Sequence, residues 1–236
     1  MRINHTCPYC MREAFNRSGM QSLSFRLTPH MLHDSGVHEI KCPRGHEYSV
    51  VLSAAKYEIL YDLGMNALGD GYTRESVSSF ASALERFYEF FIKFQMVNTG
   101  TTSELADQAW KTVSNQSERQ LGAFTYLYLS SLGELPPELS SNDRGFRNNV
   151  IHKGYIPSVD EAIGFGKVVY NHIMAVISEL EVKYGRQKLY DFYTSQLPQG
   201  GSSWVVSESA KSMNLSQTSG GTSVVDFDTM LQRFSR

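Results

Sequence analysis

The sequence predicts a mainly α-helical protein, in which an antiparallel helical bundle follows a small β-rich module. All three cysteines and five of the seven histidines lie before residue 47. From Ala54 onward, apolar residues recur at the three- and four-residue spacing of amphipathic helices. The C-terminal end is rich in Ser, Gly and Gln, which is typical of a flexible tail, and contains two short apolar segments suited to docking. The predicted divisions are residues 1–52, 53–190 and 191–236.

The composition excludes several classes of protein. With 236 residues, 41% hydrophobic and 19% charged, the chain has the balance of a globular protein of one or two domains. A net charge of −2 argues against a polycation that coats nucleic acid. No apolar run approaches the roughly 20 residues of a membrane span, and residues 1–5 lack the apolar core of a signal peptide. Three cysteines form no even disulfide framework, which favours a cytoplasmic protein.

The N-terminal module contains two closely spaced pairs of metal-ligand residues. Cys7 and Cys10 form a CxxC knuckle, and Cys42 is followed by His46 after a Pro-Arg-Gly turn. A tight turn between two ligands aims both at one tetrahedral ion, so these four residues are predicted to bind Zn²⁺. A closed set of three cysteines and one histidine leaves no coordination position for water, and the predicted zinc is therefore structural.

Alternating residues predict three strands near these ligands, at 23–27, 37–41 and 47–52. The order knuckle, strand, knuckle, strand is similar to that of a zinc ribbon. Three further histidines are rival fourth ligands, namely His30, His33 and His38. They lack the Pro and Gly of the knuckle and are expected to face solvent. The alternative for the whole module is three buried cysteines that bind no metal.

Periodicity and capping signals predict a series of helices in the body. Residues 54–68 form one helix that ends at a Gly-Asp-Gly turn, and a long helix is predicted over 73–97. An apolar seam runs along the long helix at alternating four- and three-residue intervals, and consists of Phe80, Leu84, Phe87, Phe91 and Phe94. A further helix is predicted to begin at Ser103. The others are predicted from their caps: a capping box at Ser117, an N-cap at Ser141 or Asn142, and a second capping box at Ser158.

The run from Arg147 to His152 carries the residues with the clearest chemistry. It lies in a short predicted helix that Gly154 ends, and Asn148 and His152 share one helix face. A guanidinium binds phosphate through two N–H groups, and an imidazole transfers protons near neutral pH. Arg147, Asn148 and His152 therefore predict chemistry on a nucleic-acid backbone. The alternative is an exposed arginine and a histidine that only stabilises the helix C-terminus.

The run Arg-Asn-Asn-Val-Ile-His resembles the RNxxxH motif of the HEPN family of small helical bundles, and the resemblance covers roughly residues 54–184. It implies a HEPN-like antiparallel bundle and a metal-independent endoribonuclease, often a toxin or an effector of antiphage defence. It also implies a homodimer in which two motifs face one cleft. Arg147 is then expected to stabilise charge on the RNA phosphate and Asn148 to orient it. His152 is expected to accept the 2′-hydroxyl proton or to protonate the leaving 5′-oxygen.

Other functions are also compatible with the sequence. Some HEPN-like bundles bind nucleotides or act as scaffolds without catalysis, and the zinc ribbon is an alternative adaptor for nucleic acid or protein. An uncontrolled ribonuclease would damage its own cell, so an antitoxin or another regulatory protein is a further expected partner. Midway along the long helix, Glu85 and Arg86 are candidates either to assist Arg147 or to form a surface ion pair.

Overall fold

The computed structural model describes residues 2–18, 27–198, 205–208, 212–213, 226–232 and 234. The described chain is mainly helical, as predicted. It divides into two compact units, Met1–Ala54 with Gln196–Ala210 and Ala55–Ser195 with Lys211–Arg236. The segment predicted as a tail is thus shared between the units. Among the helices described, none combines the length and apolarity needed to cross a bilayer.

The first unit contains one helix and two small sheets. Strands β1 (Arg2–Thr6) and β2 (Leu27–Met31) pair antiparallel, and α1 (Pro8–Ser18) lies between them in the chain. Strands β3 (Val37–Lys41) and β4 (Glu47–Leu52) also pair antiparallel. The bounds of β3 and β4 are those that the alternating pattern predicts.

Three elements of this unit, namely α1, β1 and β5, are absent from the sequence prediction, and β2 overlaps the predicted strand over 23–27 only at Leu27. Helix α1 begins at Pro8, inside the first knuckle, where proline is tolerated because the first helical N–H has no partner in the helix. Strand β5 (Val205–Glu208) pairs with β4 in parallel. It comes from the predicted tail, and its long-range pairing leaves no local signal in the sequence. Of the predicted strand over 23–27, residues 23–26 lie outside the described residues.

The second unit consists of helices packed around one long helix. They are α2 (Lys56–Gly69), α3 (Thr73–Asn98), α4 (Ser103–Val113), α5 (Ser117–Leu132), α6 (Ser141–Lys153), α7 (Val159–Tyr184), α8 (Arg186–Ser195) and α9 (Phe227–Gln232). Helix α3 contacts α2, α4, α5, α6 and α7 and so forms the centre of the unit. Its predicted apolar seam, from Phe80 to Phe94, is buried at every position. Burial of this seam is the main apolar contribution of α3 to folding.

Close packing in this core depends on two glycines that face one aromatic ring. A Cβ at Gly64 in α2 would lie 2.5 Å from Phe80 Cε1, and one at Gly166 in α7 would lie 2.8 Å from Phe80 Cε2. Phe80 is fully buried, so its ring has no free space into which to move. The Tyr61 hydroxyl donates to the Gly166 carbonyl at 2.8 Å. Helices α2 and α7 therefore approach α3 closely on both sides of the ring.

The C-terminal residues of this unit are held by a buried carboxylate and by apolar contacts. Both the N–H and the hydroxyl of Ser212 donate to Asp62 Oδ1 in α2, the N–H at 2.9 Å. In α9, Phe227 and Met230 are buried, and Phe227 packs against Tyr170 of α7 with ring centroids 6.0 Å apart. The terminal apolar segment thus docks on the helical unit. The Gly-rich stretches before it lie outside the described residues.

Candidate active site and metal centre

Helix α6 carries the predicted catalytic run and is capped at both ends. Ser140 is the N-cap, because its Oγ accepts from the Asp143 N–H at 3.1 Å while the Asp143 carboxylate accepts from the Ser140 N–H at 3.2 Å. The predicted caps at Ser141 or Asn142 are therefore wrong by one or two residues. Gly154 ends the helix with φ of 73°, a conformation that glycine adopts without strain.

Arg147 and Asn148 line an open cleft formed by α3, α5, α6 and α7, with a volume of about 100 Å³. Apolar side chains make up much of the lining, and five further polar or charged residues join Arg147 and Asn148 there. These are Glu85 and Tyr88 from α3, Ser117 and Glu118 from α5, and Arg144 from α6. A concave, largely apolar surface with a few converging polar groups is the usual form of a ligand site.

Arg147 is held in this cleft by hydrogen bonds that it donates to three partners. Its Nη2 donates to Glu85 Oε1, and its Nη1 donates to Asn148 Oδ1 at 3.1 Å and to Ser117 Oγ at 3.5 Å. The side chain of Arg147 is 19% exposed and that of Glu85 is 26% exposed. The guanidinium is thus fixed by two other helices and remains within reach of a ligand.

Of the two charged candidates midway along α3, Glu85 contacts Arg147 and Arg86 does not. Arg86 Nη1 instead donates to Glu89 at 2.8 Å, and its guanidinium lies over the Trp110 ring at 5.4 Å from the centroid. Arg86 therefore belongs to a local ion pair and a cation–π contact between α3 and α4. Glu85 alone of the pair reaches the cleft.

His152 stands apart from the cleft. It is exposed near the C-terminal end of α6, one turn beyond Asn148 on the same helix face, and it is absent from the cleft lining that the structure describes. A single chain therefore brings Arg147 and Asn148 together and leaves His152 at the surface. A site that uses all three residues needs another surface brought against α6.

Sequence reasoning missed several polar residues of the cleft, among them Arg144, Ser117 and Tyr88. Arg144 precedes Arg147 by three positions, a spacing that places both guanidinium groups on one helix face and is visible in the sequence. Ser117 carries no such signal, because only the packing of α5 against α6 brings it close. Burial raises the pKa of Tyr88, and the charge of Glu85 raises it further. The phenol consequently stays protonated and is a neutral hydrogen-bonding group in the cleft.

The four predicted metal ligands lie together in the first unit. The ligand atoms of Cys7, Cys10, Cys42 and His46 are all within 4.8 Å of one another. His46 Nδ1 is 3.4 Å from Cys10 Sγ, 3.5 Å from Cys42 Sγ and 3.7 Å from Cys7 Sγ. Ligand atoms bound to one tetrahedral zinc ion are separated by roughly 3.5–4 Å. The cluster therefore has the size and donor set of a site for one metal ion.

Neighbouring groups orient these ligands. The Cys10 N–H donates to Cys7 Sγ at 3.5 Å, a contact that fixes the position of this sulfur. His46 Nε2 lies 3.4 Å from Glu13 Oε1. A carboxylate at Nε2 favours the tautomer with its proton there, so Nδ1 keeps its lone pair for the metal. The ring of Tyr9 stacks on His46 with centroids 5.2 Å apart and limits its rotation.

The thiols of this cluster influence one another. Burial by itself would raise the pKa of Cys42, but hydrogen bonds from the backbone of His46 and Arg44 lower it to about 7. Burial, followed by hydrogen bonds with Cys7 and Cys42, raises the pKa of Cys10 to about 11. One thiolate thus forms near neutral pH, and its negative charge opposes the deprotonation of a second thiol. A bound cation would remove that opposition because it places positive charge among the sulfurs.

The three rival histidines form a separate group in the same unit. His33 is exposed and His30 is half-buried, but His38 is only 2% exposed. The expectation that all three face solvent is therefore wrong for His38. Its position in β3 explains the burial, since alternate residues of a strand face opposite sides of the sheet.

No protein-family model, curated protein or solved structure matches this chain. Two features of the described residues bear on the function of the protein. They are the cleft around Arg147 and the cysteine–histidine cluster.

Proposed function

We propose that this protein is a HEPN-type endoribonuclease that cleaves RNA with Arg147, Asn148 and His152 and without a metal ion in the chemical step. The observation that carries the proposal is the position of Arg147 in an open cleft, fixed by Glu85 and Ser117 with Asn148 beside it. A guanidinium held in this way is a prepositioned charge for a phosphate. The likeness of the run to the RNxxxH motif supports the same function.

The proposed reaction is an internal transesterification at phosphorus. His152 accepts the proton of the 2′-hydroxyl, and the 2′-oxygen attacks the adjacent phosphorus. The bond from phosphorus to the 5′-oxygen breaks, and that oxygen takes a proton from His152 of the partner subunit. The products are a 2′,3′-cyclic phosphate and a 5′-hydroxyl. Arg147 stabilises the charge that accumulates on the phosphate oxygens, a contribution of about 10²–10³-fold in rate.

A homodimer accounts for the distance of His152 from the cleft. Because His152 is exposed, a second copy docked on α6 would bring both imidazoles to one composite cleft, where one acts as base and the other as acid. Apolar side chains just after α6 are available for such an interface. Tyr155 is 44% exposed, Ile156 74% and Val159 51%. Exposed apolar side chains grouped in this way are typical of a protein interface.

We propose Zn²⁺ as the ion of the Cys7, Cys10, Cys42 and His46 site, because three thiolates and one imidazole in tetrahedral array suit zinc. With four protein ligands this ion is structural, and it stabilises the first unit. The free thiols of the described chain suit a reducing cytoplasm, where an RNA substrate is also found.

The test is cleavage of single-stranded RNA by zinc-loaded protein that has been transferred to a buffer free of other divalent ions. We expect products with 2′,3′-cyclic phosphate ends and no cleavage of a substrate with 2′-deoxy residues. His152→Asn and Arg147→Lys should each lose at least 100-fold in rate, whereas Lys153→Ala, an exposed neighbour, should keep full activity. Circular dichroism and zinc content check folding. Full activity in the His152 and Arg147 variants would overturn the proposal.

The proposed biological role is that of a toxin or antiphage effector that an antitoxin or another regulatory protein restrains. The support is the likeness to the HEPN motif, since many proteins of that family act in this way. Induced expression of the wild type should arrest bacterial growth, and expression of His152→Asn at the same level should not. Equal growth arrest by both proteins would contradict a ribonuclease toxin.

A second candidate function is nucleotide binding without catalysis. The observation that favours it is that Arg147 and Asn148 line the cleft without His152, so the described residues of a single chain offer contacts to a phosphate but no imidazole there for proton transfer. In that case calorimetry would detect nucleotide binding with no cleavage product. Arg147→Lys would weaken the binding, and His152→Asn would leave it unchanged.

A further inference from the structure

Three histidines outside the cysteine cluster pack together in the first unit. His30 lies in β2, His33 in the connection to β3 and His38 in β3, in the pattern His-x2-His-x4-His. The ring centroids of His33 and His38 are 4.1 Å apart, and those of His30 and His38 are 4.7 Å apart. Imidazoles bound to one tetrahedral zinc ion have centroids about 5 Å apart. The observed separations are close to that value.

The hydrogen bonds of Ser35 determine which nitrogen of His33 carries the proton. Ser35 Oγ lies 2.8 Å from the Val37 carbonyl oxygen, which only accepts, so the single hydroxyl proton is donated there. The Val37 N–H donates to the same Oγ at 3.1 Å. His33 Nδ1, at 2.9 Å, must therefore donate its own proton to Ser35 Oγ. His33 Nε2 is left with a free lone pair, and an N–H held by a neighbour is the usual arrangement of a metal-binding histidine.

His38 is the central ring of the three. Its Nε2 is buried and has no hydrogen-bond partner among the described residues. Such a group is unfavourable in a folded protein unless a ligand satisfies it. Burial, and then the charges of His33 and His30, lower the pKa of His38 to about 4. The ring is consequently neutral at pH 7, which is the form that binds metals.

We propose that His30, His33 and His38 form a second metal site, separate from the cysteine cluster, that takes a divalent transition-metal ion. Three imidazole donors favour zinc, nickel, cobalt or copper over magnesium or calcium, which prefer oxygen ligands. Rotation of the half-buried His30 ring, and a small shift of His33 with its Nδ1 still bonded to Ser35 Oγ, would direct their nitrogens at the ion beside His38. Three protein ligands leave a fourth position for water or another ligand.

Cobalt(II) distinguishes the two sites in the same protein. We suggest removing any affinity tag, preparing reduced metal-free protein, in which the first unit is expected to be unfolded, refolding it by titration with Co²⁺ and measuring bound metal after gel filtration. Thiolate ligation at the cysteine cluster gives an intense near-ultraviolet charge-transfer band, whereas imidazole ligation does not. We expect two Co²⁺ per chain, the first developing the charge-transfer band and the second adding only weak visible absorption.

His33→Asn is the decisive variant. The asparagine amide keeps a donor for Ser35 Oγ but removes Nε2, and the exposed position tolerates the change. We expect one Co²⁺ per chain and an unchanged charge-transfer band. His38→Asn should behave in the same way if it folds. One Co²⁺ per wild-type chain would overturn the proposal and mean that the rings merely pack together. Two Co²⁺ retained by His33→Asn would overturn it as well.

Discussion

Arg147 donates through Nη2 to Glu85 Oε1, so the cation of the predicted catalytic run is tied to a carboxylate 62 residues earlier in the chain. The contact joins α6 to the middle of α3, the central helix of the second unit. It holds the guanidinium in the cleft, but it also places a negative charge where an RNA phosphate would bind. Glu85 therefore has opposite effects on the position of Arg147 and on the attraction of substrate.

The first prediction separates these two effects of Glu85. In a His152→Asn background, which prevents cleavage, Glu85→Gln removes the charge that opposes phosphate and should tighten RNA binding by about fivefold, or roughly 1 kcal/mol. In the otherwise native enzyme the same change should lower the cleavage rate at saturating RNA, because Arg147 is less firmly held. Fluorescence anisotropy and cleavage assays measure the two quantities. Glu118→Gln, at an exposed residue of the same cleft, is the control for charge alone.

The second prediction concerns the glycine that packs against Phe80. Gly166→Ala adds a methyl group 2.8 Å from the buried ring and should lower the free energy of unfolding by about 1–3 kcal/mol. Gly164→Ala, in the same helix with open space around it, should instead raise that free energy by about 0.5–1 kcal/mol. In a Trp204→Phe background, the fluorescence of Trp110 in α4 reports urea unfolding of this unit. A stabilising Gly166→Ala would contradict the packing argument.

The third prediction is a loss of stability in acid caused by His172. Burial lowers the pKa of this histidine from 6.5 to about 4, although a hydrogen bond to the Pro137 backbone opposes the shift. Between these pH values the unfolded chain binds more protons than the folded one. The contribution of His172 to the free energy of unfolding is therefore fully present above about pH 6.5 and is lost as the pH is lowered to 4. The loss from this group is up to about 3 kcal/mol.

His172→Asn tests the contribution of that imidazole. Asparagine retains an N–H donor but does not titrate in this range, so the free energy of unfolding should vary less with pH between 6.5 and 4 than in the wild type. Other titrating groups, including His38 in the first unit, contribute equally to both slopes, so their contributions cancel in the comparison. Urea unfolding followed by Trp110 fluorescence at several pH values gives both slopes. Equal slopes would show that His172 does not contribute.

The fourth prediction concerns the neighbour of the metal ligand His46. Glu13→Ala removes the carboxylate beside Nε2 and should weaken zinc binding at the cysteine cluster by about 10–100-fold. Glu47→Ala, at an exposed residue paired with Lys41, should leave the affinity unchanged. Competition with a chromophoric chelator measures both values. Complete removal of zinc should unfold the first unit, because structural zinc contributes directly to folding free energy.

Local patterns in the sequence were sufficient for much of the helical unit. The seam of Phe80, Phe87 and Phe91 has helical spacing, and all three are buried in α3 as predicted. The box at Ser158 also caps α7 as predicted, with its Oγ accepting from the Glu161 N–H at 3.2 Å. By contrast, the box predicted at Ser117 does not form, since Gln116 precedes α5 without a side-chain cap. A capping motif is informative only where the chain also turns at that residue.

The sequence by itself indicated the four residues of the candidate metal site and the run that includes Arg147, because both depend on short spacings within one turn or one helix. Only the tertiary structure decided that Glu85 and Ser117 hold Arg147, that His38 is buried between two other histidines, and that β5 completes a sheet of the first unit. These contacts join residues that are far apart in the chain, and the local periodicity of the sequence does not predict them. The separation of His152 from the cleft is likewise a property of packing, since the part of α6 that lines the cleft ends at Asn148, one turn before His152.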